Sequence, residues 1–196
     1  MNSSENIENN SAIPVMTEWD RLHMAYHEAG HAICCYFLPE KGNPIRVTIE
    51  PSDEAFGILK SESRKELNET FVSLKGSISI FLAGRLAEEI FLKDITTSCI
   101  HDLIVAKEIA FDMVTKYGMG EITRFSAIAS LGEYTPSESM KQKIEEDMQH
   151  IIKAAEVDAR TILDRKSRCV ETMAKELLNK GTLLKDEINK IIEENS

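Results

Sequence analysis

Apolar positions along this chain follow two different periods, and the switches between them divide it into helices and a small β region. From Thr17 the residues Leu22, Ala25, Tyr26, Ala29, Ile33, Tyr36 and Phe37 recur every three or four positions until Pro39, the spacing of one buried helix face. Thr17, with Asp20 three residues on, is an N-cap signature for that helix. After a turn at Lys41–Pro44, IRVTIEP and FGILKSES read as strands, with the polar PSDEA between them making a hairpin-like excursion. The helical period returns from Lys65 to Leu92, where Gly76 and Gly84 mark a break or a close approach.

A further helix is predicted from about Cys99 to Tyr117, with Gly118 as its stop. Residues 118–136 carry no period. From Ser137 the helical spacing resumes through Met140, Ile144, Met148, Ile151, Ala155 and Ile162. Leu177 and Leu178 lead to a stop at Lys180–Gly181, and Leu183, Leu184, Ile188, Ile191 and Ile192 predict a short terminal helix. The fold expected is mainly α (α+β), with a small β-sheet or hairpin between the first and second helical segments and no internal repeat. Residues 1–16, rich in Asn, Ser and Glu, are expected to be a disordered tail. Residues 17–196 form one domain, with helices over about 17–118 and a C-terminal helical segment over about 137–196.

Composition narrows the functional classes. A chain of 196 residues, 42% hydrophobic and 29% charged, buries a core without disulfides. A net charge of -10 with no Lys/Arg run repels phosphate backbones and anionic lipid surfaces, which speaks against nucleic-acid binding. Cys34, Cys35, Cys99 and Cys169 form no CxxC pair, and the chain opens without a signal-peptide pattern, so reduced thiols in a cytoplasmic protein are expected. The longest apolar runs, AICCYFL and ISIFLAG, fall short of the roughly 20 residues that span a bilayer, so no direct membrane insertion is expected.

Chemistry concentrates in YHEAGHAICCYF, Tyr26 to Phe37. His27 and His31 lie one helical turn apart on one face, and Glu28 borders the same space, as a zinc hydrolase requires. Packed or surface histidines would give the same string. A catalytic zinc takes three protein ligands and leaves a position for water. His23 continues the series, but eight residues place it about 12 Å from His31, too far to share one ion. The remaining candidates are Glu88 and Glu89 in LAEEIF, and His101 and Asp102 in SCIHDL; spacing does not choose among them.

From about Thr17 to its C-terminus the chain resembles the zinc peptidase domain of the FtsH-type membrane-anchored, ATP-dependent proteases. The resemblance rests on four ordered blocks: AYHEAGHAI, LAGRLAEEIF, TTSCIHDLIVAKEIAFDMVTKYGM and LLNKGTLLKDEI. It implies a helical zinc-peptidase domain and a zinc metalloendopeptidase in which His27, His31 and Asp102 hold Zn2+ and Glu28 is the catalytic base. Glu88 and Glu89 are then supporting acids, with Glu88 a candidate partner for a ligand histidine. The chain departs from the family pattern at Ser98–Cys99, where Gly-Ala is usual, and at His101, where Asn is usual. Cys99 and His101 are themselves zinc-competent, with local packing as the alternative. Iron, cobalt or another divalent ion can replace zinc in such a donor set.

No GxxxxGK[ST] phosphate loop occurs in the chain, and no ATPase module fits before Thr17. The expectation is therefore a peptidase half without a motor, hydrolysing unfolded or extended polypeptides independently of ATP or fed by a separate ATPase or FtsH-like partner. A homo-oligomer, hexameric by resemblance, is also expected. The alternative is a catalytically degenerate, zinc-stabilised binding or regulatory module, favoured by the altered block and opposed by the intact Glu28. A helical interaction protein using the acidic 137–194 segment is a weaker reading, because Met140, Ile144, Met148 and Ile151 have core spacing. The strand near Arg46–Glu50, or its partner at Phe56–Ser61, is expected to pair with an extended peptide unless the two pair only with each other.

Overall fold

Thr17 opens the first helix as the sequence predicts. Its backbone N–H donates to Asp20 Oδ2 at 2.9 Å and its Oγ1 accepts from the Asp20 N–H at 3.1 Å, a reciprocal cap that satisfies otherwise orphaned donors. The computed structural model describes residues 16–38, 42–51, 57–62, 68–124 and 135–196. Residues 1–15 of the predicted tail, all but the first residue of the PSDEA excursion, the predicted helix start at Lys65 and most of the irregular stretch before Ser137 lie outside the described residues.

Helix α1 spans Glu18–Phe37, followed by strands β1 (Pro44–Thr48) and β2 (Ile58–Ser61). Helix α2 spans Phe71–Ala87 and passes into a π-helical turn over Glu88–Leu92. The predicted start near Lys65 is too early: residues 68–70 are not helical, and Thr70 Oγ1 accepts from the Ser73 N–H at 3.0 Å, capping the helix there. Helix α3 (Ile100–Thr115) follows a short 3-10 turn at Thr97–Cys99, and α4 (Glu138–Arg165) and α5 (Ser167–Lys180) form the C-terminal pair. Gly118 and Gly181 end α3 and α5 with φ of 61° and 76°, a conformation in which glycine carries no Cβ penalty.

The chain closes with β3 (Thr182–Leu184) and α6 (Lys185–Asn195). Leu183 and Leu184 are therefore not the first turn of the terminal helix. They pair antiparallel with β1, Leu183 opposite Val47 and Leu184 opposite Arg46, with Leu183 buried and Leu184 exposed. Two-fold alternation over three residues is too short to be told from helical spacing. Among the described residues the sheet has the order β2-β1-β3, so β1 is paired on both sides and β2 and β3 are the edge strands.

Helix α1 runs through the centre, with Ala25, Ala29, Ala32 and Ile33 fully buried between α2 and α5. A Cβ added at Gly30 would lie 2.5 Å from the Ala83 carbonyl oxygen, so glycine there permits the backbones of α1 and α2 to approach. That approach sets the functional residues of α1 against α2. Met173, Leu177 and Leu163 close the other side of the core, each large side chain contributing about 1.5–3 kcal/mol on burial. All four cysteines are buried, and none of them forms a disulfide.

Asp147 of α4 anchors the segment after α3. Its carboxylate accepts from the N–H groups of Glu121, Ile122 and Thr123 and from Thr123 Oγ1 at 2.7–3.2 Å. Burial opposes its charge, but the donors of Ile122 and Thr123 outweigh burial and hold the carboxyl below its ordinary value. Asp147→Ala is expected to destabilise the fold by about 3 kcal/mol, since buried donors lose a charged acceptor. Because the folded pKa is depressed, that contribution is present at neutral pH and lost as pH falls through the folded value. Denaturant titrations of wild type and variant should therefore converge in acid.

Candidate metal centre

Two helices bring the candidate ligands together. His27 and His31 project from the buried side of α1, and Asp102 stands in the first turn of α3. Asp102 Oδ2 lies 3.1 Å from His27 Nε2 and 3.3 Å from His31 Nε2. Ligand atoms of the three residues lie within 4.8 Å of one another, and they are the only such group of metal-competent side chains among the described residues.

The other ring nitrogens are engaged. His31 Nδ1 donates to the Ile80 carbonyl at 2.7 Å and His27 Nδ1 to Glu88 Oε1 at 2.7 Å. A carbonyl only accepts, and Glu88 stays ionised: burial opposes its charge, but hydrogen bonds from His27 and Thr96 bring it down to about 2. Both rings therefore carry a proton on Nδ1 and turn Nε2 toward Asp102, the tautomer a metal-binding histidine needs. Burial alone would push His27 down; hydrogen bonds to Asp102 and Glu88 override it and raise it to about 9. Burial likewise opposes charge on Asp102, and the two histidines hold its carboxyl well below the usual carboxylate range. A cation entering between them displaces a proton.

Two glycines shape the space. A Cβ at Gly84 of α2 would lie 2.5 Å from Nε2 of both His27 and His31, so the missing side chain is what keeps the floor of the donor cluster open. A Cβ at Gly57, just before β2, would run into Glu28 Oε1 and lie 2.8 Å from Met24 Sδ. Glu28 is 5% exposed, and its Oε2 has no hydrogen-bond partner among the described residues. Burial pushes its carboxyl up, partly offset by His31 and His27. The cluster opens into a cleft of about 870 Å³ bounded by Met24, Ile58, Leu59, Ile80 and Phe81, an apolar wall beside convergent polar groups.

Residues 14–191 match the profile of Peptidase family M41. The chain belongs to peptidase family M41. An ATP-dependent zinc metalloprotease FtsH of Thermus thermophilus is 32% identical over 189 aligned residues, covering 91% of this chain and 30% of that protein. The FtsH of Syntrophobacter fumaroxidans is 34% identical over 187, covering 87% and 29%, and that of Slackia heliotrinireducens 33% identical over 184, covering 86% and 23%. The chain thus spans less than a third of the length of these relatives. No helix among its described residues is long and apolar enough to cross a membrane.

Other residues singled out in this M41 sequence separate clearly. Glu88 is fully buried behind His27, whereas its neighbour Glu89 faces outward to Arg160, 3.0 Å away. Cys99 is outside the cluster, its thiol donating to the Thr96 carbonyl at 3.3 Å, and burial pushes that thiol up. His101 is exposed and lines the cleft without joining the cluster. The sequence marks Ser98 only as a departure from the family's usual glycine and assigns it no contact, whereas its Oγ donates to Glu88 Oε1 at 3.2 Å; Gly57 carried no signal.

Proposed function

We propose that this chain is a zinc-dependent endopeptidase acting on unfolded or extended polypeptides, with His27, His31 and Asp102 as metal ligands and Glu28 as general base. The observation that carries the reading is the convergence of two Nε2 atoms and one carboxylate on a floor kept open by Gly84, beside a buried carboxylate with an unpartnered oxygen. Two imidazoles and a carboxylate suit zinc, and three protein ligands are the number found in catalytic sites. The relatives' names specify a zinc metalloprotease, in agreement with this donor set.

When bound, zinc polarises the scissile carbonyl and makes water acidic enough to ionise near neutral pH. Glu28 takes a proton from the attacking water on its carboxylate and passes it to the nitrogen of the leaving amine. Its raised affinity for protons suits the second task as well as the first. Glu88 and the Ile80 carbonyl hold the two rings in register. The apolar wall excludes competing water. An extended peptide is aligned by main-chain hydrogen bonds to the outer edge of β2, since β1 is paired on both sides and β2, not β3, borders the cleft.

Such a domain hydrolyses chains that are already unfolded without consuming ATP, and folded substrates reach it only through an ATPase. The degenerate-module reading remains the alternative, and the buried, cleft-facing Glu28 weighs against it because a structural site needs no base. A fluorescently labelled, permanently unfolded protein, incubated without ATP, should be cleaved by the zinc-loaded chain. Cleavage should stop on chelation and return with zinc. Zinc-loaded protein that leaves both this substrate and flexible peptides uncut would overturn the ATP-independent reading.

A further inference from the structure

His23 lies one turn before His27 on the same side of α1 and is buried, its ring packed at a 39° tilt against Trp19 with 4.1 Å between centroids. It is not among the convergent ligands. Its Nδ1 stands instead 3.3 Å from Glu88 Oε2, while His27 Nδ1 stands 2.7 Å from Glu88 Oε1. Two histidines of one helix therefore hold the two oxygens of one carboxylate. The remaining donors come from the segment after the π-helical turn: the Thr96 N–H to Oε2 at 2.8 Å and Ser98 Oγ to Oε1 at 3.2 Å.

We propose that His23 is a positioning residue for the metal centre. It fixes the plane of the Glu88 carboxylate, and through Oε1 that carboxylate fixes the orientation and Nδ1–H tautomer of His27. The proposal rests on the metal reading above. A terminal carboxylate torsion is broad and roughly two-fold, and without His23 the only donor to Oε2 among the described residues is the Thr96 N–H of the segment before α3. Thr96 and Ser98 tie Glu88 only to the segment before α3. His23 ties it to α1, the helix that carries His27, so movement of that segment need not be passed on to the ligand. The Trp19 ring packs against that of His23 on the side of α1 that carries both.

The test uses the full chain and compares wild type with His23→Leu, which fills the site without a donor, and His23→Asn, whose amide nitrogen replaces Nδ1. Zinc affinity is read by competition with a chromophoric chelator at fixed neutral pH, alongside the thermal midpoint of each metal-free protein and the downfield proton resonance of His27 Nδ1–H. His23→Leu is expected to lose about 10–100-fold in affinity, the range for outer partners of a ligand histidine, and to broaden the His27 resonance. His23→Asn should recover most of both. Equal affinity in wild type and His23→Leu overturns the proposal. So does a loss in both variants that follows the thermal midpoint, because packing alone then accounts for it. Wild type that binds no zinc removes the metal reading and this proposal together, whereas wild type that binds beside an equally competent His23→Leu removes only the role of His23.

Discussion

Glu28→Gln is expected to lower peptide cleavage by about 10²–10⁴-fold, the usual contribution of a positioned general base, while zinc stays bound. Glutamine keeps the shape of the side chain, so the packing against Gly57 and Met24 survives. It removes the charge that burial already disfavours, so the fold is not expected to weaken. What is lost is the ability to accept a proton from water. Initial rates on the labelled unfolded protein, with zinc stoichiometry measured on the same samples, check both halves of the expectation. Activity within a few-fold of wild type would show that another group takes the proton. Zinc-loaded wild type and variant that are equally inactive would move the reading to the binding module.

The parts of this protein that were legible in its sequence are those specified by neighbours on one helix. The spacing of His27 and His31 and the cap formed by Thr17 and Asp20 are one-turn relations, and α1 realises both. Asp102 was different in kind. The helix supplying a third ligand depends on how α1, α2 and α3 pack, which no local spacing records, so only resemblance separated Asp102 from Glu88, Glu89 and His101. The pair Glu88–Glu89 shows the same limit, since adjacent helix positions face apart: one is buried behind His27 and the other reaches Arg160. β3 was missed because three residues carry too little pattern to oppose the helical signal that follows. His23 is set aside as a ligand by helix rise, and its Nδ1 stands against Glu88 Oε2 at 3.3 Å. Its contact with Glu88 depends on the crossing of α1 over the π-helical turn, which the sequence does not show.

Gly84 was legible only as an ambiguity between helix break and close approach, and it supports the second large prediction. Within a helix, Gly→Ala normally stabilises by roughly 0.5–1 kcal/mol, so Gly84→Ala would be neutral or favourable if α2 were merely scaffold. Here the added methyl meets Nε2 of both His27 and His31 at 2.5 Å, closer than side-chain carbons and imidazoles tolerate. Neither ring can retreat freely, because His27 is held by Glu88 and His31 by the Ile80 carbonyl. The methyl therefore takes part of the space in which the two nitrogens would meet a cation. Gly84→Ala is expected to weaken zinc binding by about 100-fold or more, at or beyond the upper end of what disturbing an outer partner costs, with helicity by circular dichroism unchanged. Wild-type affinity in a folded Gly84→Ala protein would place the cation away from α2 and break the link between this glycine and the donor cluster. Loss of affinity with the fold intact would instead tie the open floor of α2 to the cation, separately from any measurement of activity.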